Sequence, residues 1–337
     1  MKKPGFSAVC FPVPVDNFAL LEALQSGPQT GVALAGRFGV SRAAVWKRIE
    51  LLRRAGLQID ALGRRGYAVK QPTPLLDLPC LRAALPAAAE AQLAGLHLVF
   101  ETPSTQALAM AVAAPPSGIE VWLAEMQTAG QGRRGKRWLS VPLSGIACSL
   151  NRRFHLSFAA MSGFSLACAV IIAESLQRQG AQEIQVKWPN DIWRQGRKCA
   201  GLLIQLRGES QGPCDVTLGF GINVMLAADS GAAIDQPWTS LTVPGGPDWD
   251  RNTLLAGLLQ DLLHGFEHFQ ERGFSPFIAR YRALDGLYGK TVAVEDGGRR
   301  INGTACGVDD SGAMLVETPE GLRRFHSGEV SVRIDHG

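Results

Sequence analysis

The chain has 337 residues, 46% of them hydrophobic and 19% charged, and a net charge of +4. That length suits two or three domains with ample core, and the composition is that of a soluble globular chain. No apolar run of about 18 residues or more is free of breakers, so no membrane span is expected. Seven cysteines, at 10, 80, 148, 168, 199, 214 and 306, are odd in number and scattered. Without a C-x-x-C pair they suggest neither a disulfide framework nor a zinc site, and they fit a reducing cytoplasm. Lys2 and Lys3 precede an apolar stretch, as in a signal peptide. Pro12 and Pro14 interrupt it and no small-residue cleavage site follows, so residues 1–16 read as an N-terminal extension.

Asn17 to Gln25 reads as a short helix with apolar Phe18, Leu20, Leu21 and Leu24, and Val32 to Phe38 as a second. Gly39 supplies a turn, and Ser41 can cap a third helix. In that helix Val45, Ile49 and Leu52 recur at i, i+4 and i+7 and make an apolar face, with Arg42, Lys47 and Arg48 off the stripe. Gly56 ends it. Two short extended runs, Leu57–Ile59 and Tyr67–Val69, flank Gly63-Arg64-Arg65-Gly66. Three helices and a basic hairpin describe a winged helix-turn-helix. From Arg37 to Gly66 there are eight basic residues against Glu50 and Asp60, which leaves the rest of the chain slightly acidic. A basic cluster at one end of a near-neutral chain points to a polyanion bound there.

Three prolines between Gln71 and Pro79 mark a linker. Beyond it the expected strands are 96–101, 119–125, 145–151, 184–188, 200–207 and 216–223. Phe158 to Gln179 reads as a long buried helix and Asn252 to Arg272 as another. Strands and helices do not alternate regularly, so a mixed or antiparallel sheet with helices on one side is expected, in an α+β fold. His264 and His268, four apart on the second long helix, read as a solvated face, since no carboxylate ligand is near. From Leu287 onward short strands alternate with turns at Asp296-Gly297-Gly298, Asp309–Gly312 and Glu320-Gly321, which suggests a small β-barrel.

Gly130, Gly132 and Gly135 satisfy G-x-G-x-x-G, but the dinucleotide fingerprint needs a helix directly after it, and Trp138-Leu-Ser-Val-Pro142 runs into a proline. The same segment nearly makes a P-loop, yet Arg137 stands where Ser or Thr should hold magnesium. What remains is physical. Glycines let the backbone approach a ligand, and Arg133, Arg134, Lys136 and Arg137 add positive charge. The segment suits a phosphate or carboxylate and is expected to close when that anion arrives; its alternative is a basic surface hairpin.

A second constellation joins it. Lys187-Trp188-Pro189-Asn190-Asp191 ends one strand, Lys198-Cys-Ala-Gly201 opens the next, and Trp193–Gly196 suits the connection. Two lysines, an Asn and an Asp thus come close together, and Gly201 leaves room beside the strand. Inward lysines need an anionic partner to stay charged.

Gln127-Thr-Ala-Gly130-x-Gly132-Arg133, Lys187-Trp-Pro-Asn-Asp191 and Lys198-x-Ala-Gly201 together resemble the bacterial biotin protein ligases. Ser104-Thr105 and Gly219-Phe-Gly221-Ile-Asn223 occur in the same order as in that family. The helix from Val40 to Arg48 and the Gly63–Tyr67 wing are similar to the subgroup that doubles as repressor of biotin synthesis genes. The resemblance covers roughly residues 17 to 335. It implies a winged-helix DNA-binding domain at 17–70, a linker at 71–80, a catalytic domain at 81–285 similar to class II aminoacyl-tRNA synthetases and lipoate ligases, and an SH3-like barrel at 286–337.

The substrates so implied are ATP, biotin and a biotin carboxyl carrier protein, with Mg2+ brought by the substrate phosphates. Operator DNA and a homodimer are implied too. Ser104, Thr105, Gln106 and Gln127 are expected around the biotin ring, with Gly130, Gln131, Gly132 and Arg133 in the loop closing over biotin and the adenylate phosphate, and Gly201 beside it. Lys198 is expected on the biotin carboxylate and the α-phosphate, and Asn190, Asp191 and Lys187 at the reacting centre. Arg134, Trp138, Asn223 and Trp238 belong to the nucleotide side. Ser41, Arg42, Lys47, Arg48, Arg64 and Arg65 are expected on DNA. Gln106 stands where the family usually has Asn, keeping the amide, and Gln131 where Arg or Lys is usual, losing a charge that Arg134 could supply. The alternatives are a lipoate or octanoate transfer enzyme of the same fold, and a metabolite-sensing regulator without catalysis.

Overall fold

A computed structural model describes residues 15–209, 211–296, 299–326 and 331–334. Residues 1–14 of the N-terminal extension and the Gly297-Gly298 turn lie outside them. The chain separates into two compact units, Met1–Leu75 and Leu76–Gly337.

The first unit begins with α1 (Asn17–Gln25), α2 (Gly31–Phe38) and α3 (Arg42–Arg54). Each start is capped by a side chain on an orphan backbone N–H: Asp16 on Phe18, Thr30 on Ala33 and Ser41 on Ala44. Leu20, Leu21, Leu34, Val45, Ile49 and Leu52 fill the small core. Strands β1 (Ile59–Ala61) and β2 (Tyr67–Val69) form the antiparallel wing, closed by a single 3-10 turn over Gly63–Arg65. Tyr67 also exchanges backbone hydrogen bonds with Gln29, both 2.8 Å, which fastens the wing to the start of α2.

The second unit opens with two short helices, α4 (Leu78–Ala84) and α5 (Ala87–Glu90), the first starting inside the stretch read as linker. Then follow β3 (Leu93–Thr102), α6 (Thr105–Ala111), β4 (Ile119–Gln127) and β5 (Gly145–Phe154). Next are α7 (Phe164–Arg178), β6 (Ile184–Lys187), β7 (Asp191–Arg194), β8 (Arg197–Gly208) and β9 (Cys214–Asn223). The seven strands stand in the order β3-β4-β5-β9-β8-β7-β6. Only β3 and β4 run parallel; every other neighbouring pair is antiparallel. The sheet is mixed, as expected. Helices α8 (Arg251–Arg272) and α9 (Ser275–Leu284) pack on α7. Phe154, Phe164, Phe266, Phe269 and Phe277 meet edge-on or tilted at the centre.

Two expectations change. The long helix from Phe158 to Gln179 is broken: a 3-10 turn spans Ala159–Met161, and Gly163, at φ 78°, separates it from α7. The segment Ala159–Arg178 is long and apolar enough to cross a membrane by length and composition, yet 67% of that window is buried in the unit. Trp193 and Arg194, read as part of the hairpin connection Trp193–Gly196, lie instead in β7, a full strand between β6 and β8, and the turn shrinks to Gln195-Gly196.

The chain ends in a five-stranded antiparallel sheet, made of β10 (Thr291–Asp296), β11 (Arg299–Val308), β12 (Met314–Thr318), β13 (Gly321–Phe325) and β14 (Ser331–Ile334), ordered β13-β12-β11-β10-β14. Its β11–β12 turn is braced by Asp309, whose carboxylate accepts from Ser311 N–H and Ala313 N–H. That turn meets the seven-stranded sheet, because the buried Trp188 donates its indole N–H to Gly312 O at 3.0 Å.

Candidate active site and candidate nucleic-acid interface

The β6–β7 hairpin builds the centre of the site. Lys187 and Asp191 are paired across it, and Trp188-Pro189, joined by a cis peptide bond, makes the turn with Asn190. Asn190 is buried and locked by its amide N–H on Leu202 O. Lys198 approaches from β8. Cys199 has no partner in β7, since Ile192 pairs with Ala200 and Trp193 with Lys198. Such a bulge re-aims a side chain, and here it sends Lys198 across Gly201 to Asp191 Oδ1 at 2.6 Å. A methyl group at Gly201 would sit 3.0 Å from Lys198 Cε and 3.1 Å from Nζ. The glycine in Lys-x-Ala-Gly therefore clears the path of the lysine.

The glycine segment comes over this hairpin. It folds as a narrow antiparallel ribbon, Gln131 bridging Arg137 and Trp138 N–H on Gly130 O, capped by one 3-10 turn at Arg133–Gly135. No helix follows, which agrees with rejecting the dinucleotide and P-loop readings. Arg133 Nη1 reaches Asn190 Oδ1 at 3.4 Å. Arg134, at φ 57°, and Gln131 are exposed on the ribbon. Arg133 and Lys198 thus converge on Asn190-Asp191 from separate stretches. Burial pulls the Arg133 guanidinium down from its usual range while Asp191 opposes the shift; a group that basic stays charged. Burial also pulls the Lys187 ammonium below its ordinary value, Asp191 opposing and Lys198, Lys136 and Arg333 adding to the depression. Several cations held around one carboxylate make a place where anions are welcome.

Beside it a polar chain runs from Gln127 to Gln106. Gln127 Oε1 accepts from Thr105 N–H at 2.8 Å and from its hydroxyl at 3.2 Å, and Thr105 Oγ1 lies 2.9 Å from the buried Ser149 Oγ. Ser104 caps α6 through Ala107 N–H and keeps its own O–H to donate. Gln106 has a different employment from the one expected. Its amide donates to Gln205 Oε1 at 2.9 Å and Thr217 O at 3.2 Å, and its carbonyl accepts from Ser149. It shapes the wall of the site and spends its hydrogen bonds within the protein.

On the far side the chain after β9 pairs with β8. Lys198 N–H donates to Pro237 O and Thr239 N–H to Lys198 O, which sets Trp238 beside Lys198. Asn223 holds the same segment through Thr239 O at 3.3 Å. A cleft of about 570 Å3 opens there, lined by Arg197, Gly231, Ile234, Gln236 and Trp238 among others. The Trp138 ring lies against Gly221, with Lys198 Nζ 5.9 Å from its centroid. The expected nucleotide-side residues Trp138, Asn223 and Trp238 are therefore brought around Lys198.

In the first unit Arg42, Ala43, Trp46 and Lys47 share the exposed face of α3, and Ser41, Arg64 and Arg65 are exposed too. Arg48 is not on that face. Its guanidinium turns inward to Asn17. Arg53 is likewise engaged, by Glu50 at 2.7 Å and by Ile59 O. Sequence reasoning passed over Trp46, whose 51% exposure is unusual for an indole. It also missed Ser149, Gln205 and a buried Glu125–Arg251 pair. A signal existed for the last: Glu125 interrupts an apolar strand. His264 is exposed and His268 tilts against Phe277; among the described residues no group of three acidic, histidine or cysteine side chains could hold a metal.

Beside a winged helix, the chain thus carries a mixed sheet with a cation-lined site under a glycine ribbon, chemistry suited to anionic substrates. Residues 99–223 match the Biotin/lipoate A/B protein ligase family, 288–333 the biotin protein ligase C-terminal domain and 17–68 an HTH domain. The chain is 33% identical over 323 residues to the bifunctional ligase/repressor BirA of Escherichia coli (strain K12), covering 95% of this chain and 97% of that one. It is 31% identical over 317 residues to BirA of Bacillus subtilis (strain 168), covering 90% and 93%. The biotin protein ligase from Aquifex aeolicus, solved in complex with biotin and ATP, matches with a TM-score of 0.60 at 26% identity, covering 72% of this chain and 100% of that chain. The chain belongs to the family of bifunctional biotin protein ligases and repressors.

Proposed function

We propose that this protein activates biotin with ATP, transfers it to a lysine of a biotin carboxyl carrier protein, and represses biotin synthesis genes through its first unit. The convergence of Arg133, Lys187 and Lys198 on Asn190-Asp191 carries the reading. A carboxylate is a poor acyl donor. Attack of the biotin carboxylate oxygen on the α-phosphorus of ATP forms a mixed anhydride and expels pyrophosphate. Two anions must meet, and Lys198, Arg133 and Lys187 offset their repulsion in a partly dry site. Magnesium enters with the nucleotide, as part of that substrate. The Gln127–Thr105–Ser149 chain and the Ser104 hydroxyl are the polar groups for the biotin ring, and Trp138, Asn223 and Trp238 flank the nucleotide. Then a neutral lysine amine of the carrier attacks the acyl carbon and AMP leaves. The amine's ordinary pKa is about 10.4, so it must give up a proton. Asp191 orients it or accepts that proton. Arg133, on the ribbon over the site, keeps water from the anhydride. Mass spectrometry of a carrier domain after incubation with ATP and either biotin or lipoate tests this. A biotin-sized mass gain is expected; gain only from lipoate, or from neither with no pyrophosphate exchange, rejects it.

The depressed Lys187 gives a pH test. The ammonium, not the amine, attracts phosphate, so activation is supported at low pH and lost as pH rises through the Lys187 pKa. That loss is expected below the ordinary lysine value. Pyrophosphate exchange against pH isolates the first step from the carrier lysine. Lys187→Arg should remove the early alkaline limb; a profile the two proteins share would assign it elsewhere.

The exposed face of α3 is the surface we assign to operator DNA, in a homodimer that matches paired half-sites. Arg42→Ala and Lys47→Ala should each weaken binding and reduce the slope of log K against log salt by about 1. Arg48→Ala should leave that slope unchanged, because its guanidinium faces Asn17. Filter binding across a salt series reads both. The free thiols, six among the described residues, suit the cytoplasm.

A further inference from the structure

Glu125 stands on β4 two residues before Gln127, and Arg251 at the first turn of α8; both side chains are 0% exposed. The guanidinium donates to both carboxylate oxygens at 2.9 Å. The same carboxylate accepts Leu76 N–H at 2.6 Å and Leu143 N–H at 3.2 Å, and Arg251 Nη1 also donates to Gly145 O at 3.0 Å. The pairing of β4 with β5 ends at Ala124–Ala147, and beyond it the strands part to let residues 128–144 pass over the site. At the fork, backbone groups lose their ladder partners. Glu125 takes the N–H of Leu143 and Arg251 the carbonyl of Gly145, so the ion pair replaces the missing rungs. Leu76, where the chain enters this unit, hangs from the same carboxylate, and Asp77 N–H donates to Asn252 Oδ1 at 2.9 Å. A buried ion pair seldom adds stability over an apolar pair of equal volume. Its worth here lies in what it holds in place.

We infer that Glu125 and Arg251 are positioning residues of the glycine ribbon, fixing its entrance at Gln127 and its exit at Leu143 so that Arg133 and Trp138 close on bound substrate in one geometry. The inference rests on the ligase reading of this site. Glu125→Gln alone strands a buried guanidinium, and the unit is expected to unfold. Glu125→Gln/Arg251→Met removes both charges at similar volume. Carrier biotinylation by the wild-type protein tests the ligase reading separately; the variant is then judged against it. The double variant should fold with KM for biotin raised about tenfold, roughly 1.4 kcal/mol, kcat for activation little changed, and biotinyl-adenylate escaping into solution. A folded double variant that retains the adenylate and has wild-type KM overturns the inference. Amide hydrogen exchange on the wild-type protein decides it if the variant does not fold or the wild type does not biotinylate. Leu143 N–H should be protected like the centre of β5 while 130–137 exchange fast; Leu143 exchanging with the ribbon overturns it.

Discussion

Lys198→Ala is expected to lower the rate of biotinyl-adenylate formation about a thousandfold, on the order of 4 kcal/mol. Two effects add. In the proposed reaction the lysine is the cation at the point where carboxylate and α-phosphate meet, and repulsion between two unit charges about 4 Å apart costs roughly 4 kcal/mol at the effective dielectric near a protein surface. Its loss also frees Asp191, whose side chain is 14% exposed and ion-paired only to Lys198 among the ion pairs seen. A site built to attract anions then holds a carboxylate that only Arg133 and Lys187 still offset. Lys198→Ala/Asp191→Asn removes both charges and should recover part of the loss, which separates the two effects. Pyrophosphate exchange gives the rate and calorimetry the biotin affinity. A loss of less than about tenfold, or 1.4 kcal/mol, would remove Lys198 from the reacting centre.

The signals that named these residues are local, and what the sequence hid is not. The first unit could be read because Val45, Ile49 and Leu52 repeat at helical spacing and Ser41 announces the start of α3; all three apolar side chains are fully buried. Arg48 differs from Arg42 and Lys47 for a reason visible in that spacing. It lies three after Val45 and four before Leu52, on the edge of the buried stripe, near enough for a long side chain to reach α1. Strand β7 escaped because Asp191–Arg194 has a charge at each end and is short; the flanking strands β6 and β8 make it a strand. The motif cations were legible from residue type and order, and the sheet brings Arg133 and Lys198 to one place. The partners of Gln106 were not. Gln205 and Thr217 lie 99 and 111 residues away and carry no mark of their own. Glu125 and Arg251 are 126 residues apart. A charge in an apolar strand says that a partner exists without saying where.

Gly221→Ala should cost ten- to hundredfold in kcat/KM for ATP, and only while Trp138 is present. The added methyl would stand 2.5 Å from Trp138 Cζ2 and 2.6 Å from Nε1. Gly221 is held on both sides, paired with Ala147 in β5 and Gly201 in β8, so the strand cannot retreat. The indole must move. Moving it disturbs the ribbon, since Trp138 N–H donates to Gly130 O at 2.8 Å, and withdraws the ring from Lys198. Overpacking of this kind costs about 1–3 kcal/mol, which sets the range. Gly219 bears the parallel burden under Gln106, whose carboxamide carbon would be 3.2 Å from a new methyl. The two glycines of Gly-Phe-Gly-Ile-Asn thus clear space for two different side chains. A double-mutant cycle distinguishes a clash from general strand damage. In a Trp138→Ala background the substitution at Gly221 should be nearly silent, because the cavity left by the ring accepts the methyl. Equal losses with and without Trp138 would mean that the strand, not the ring, needs the glycine.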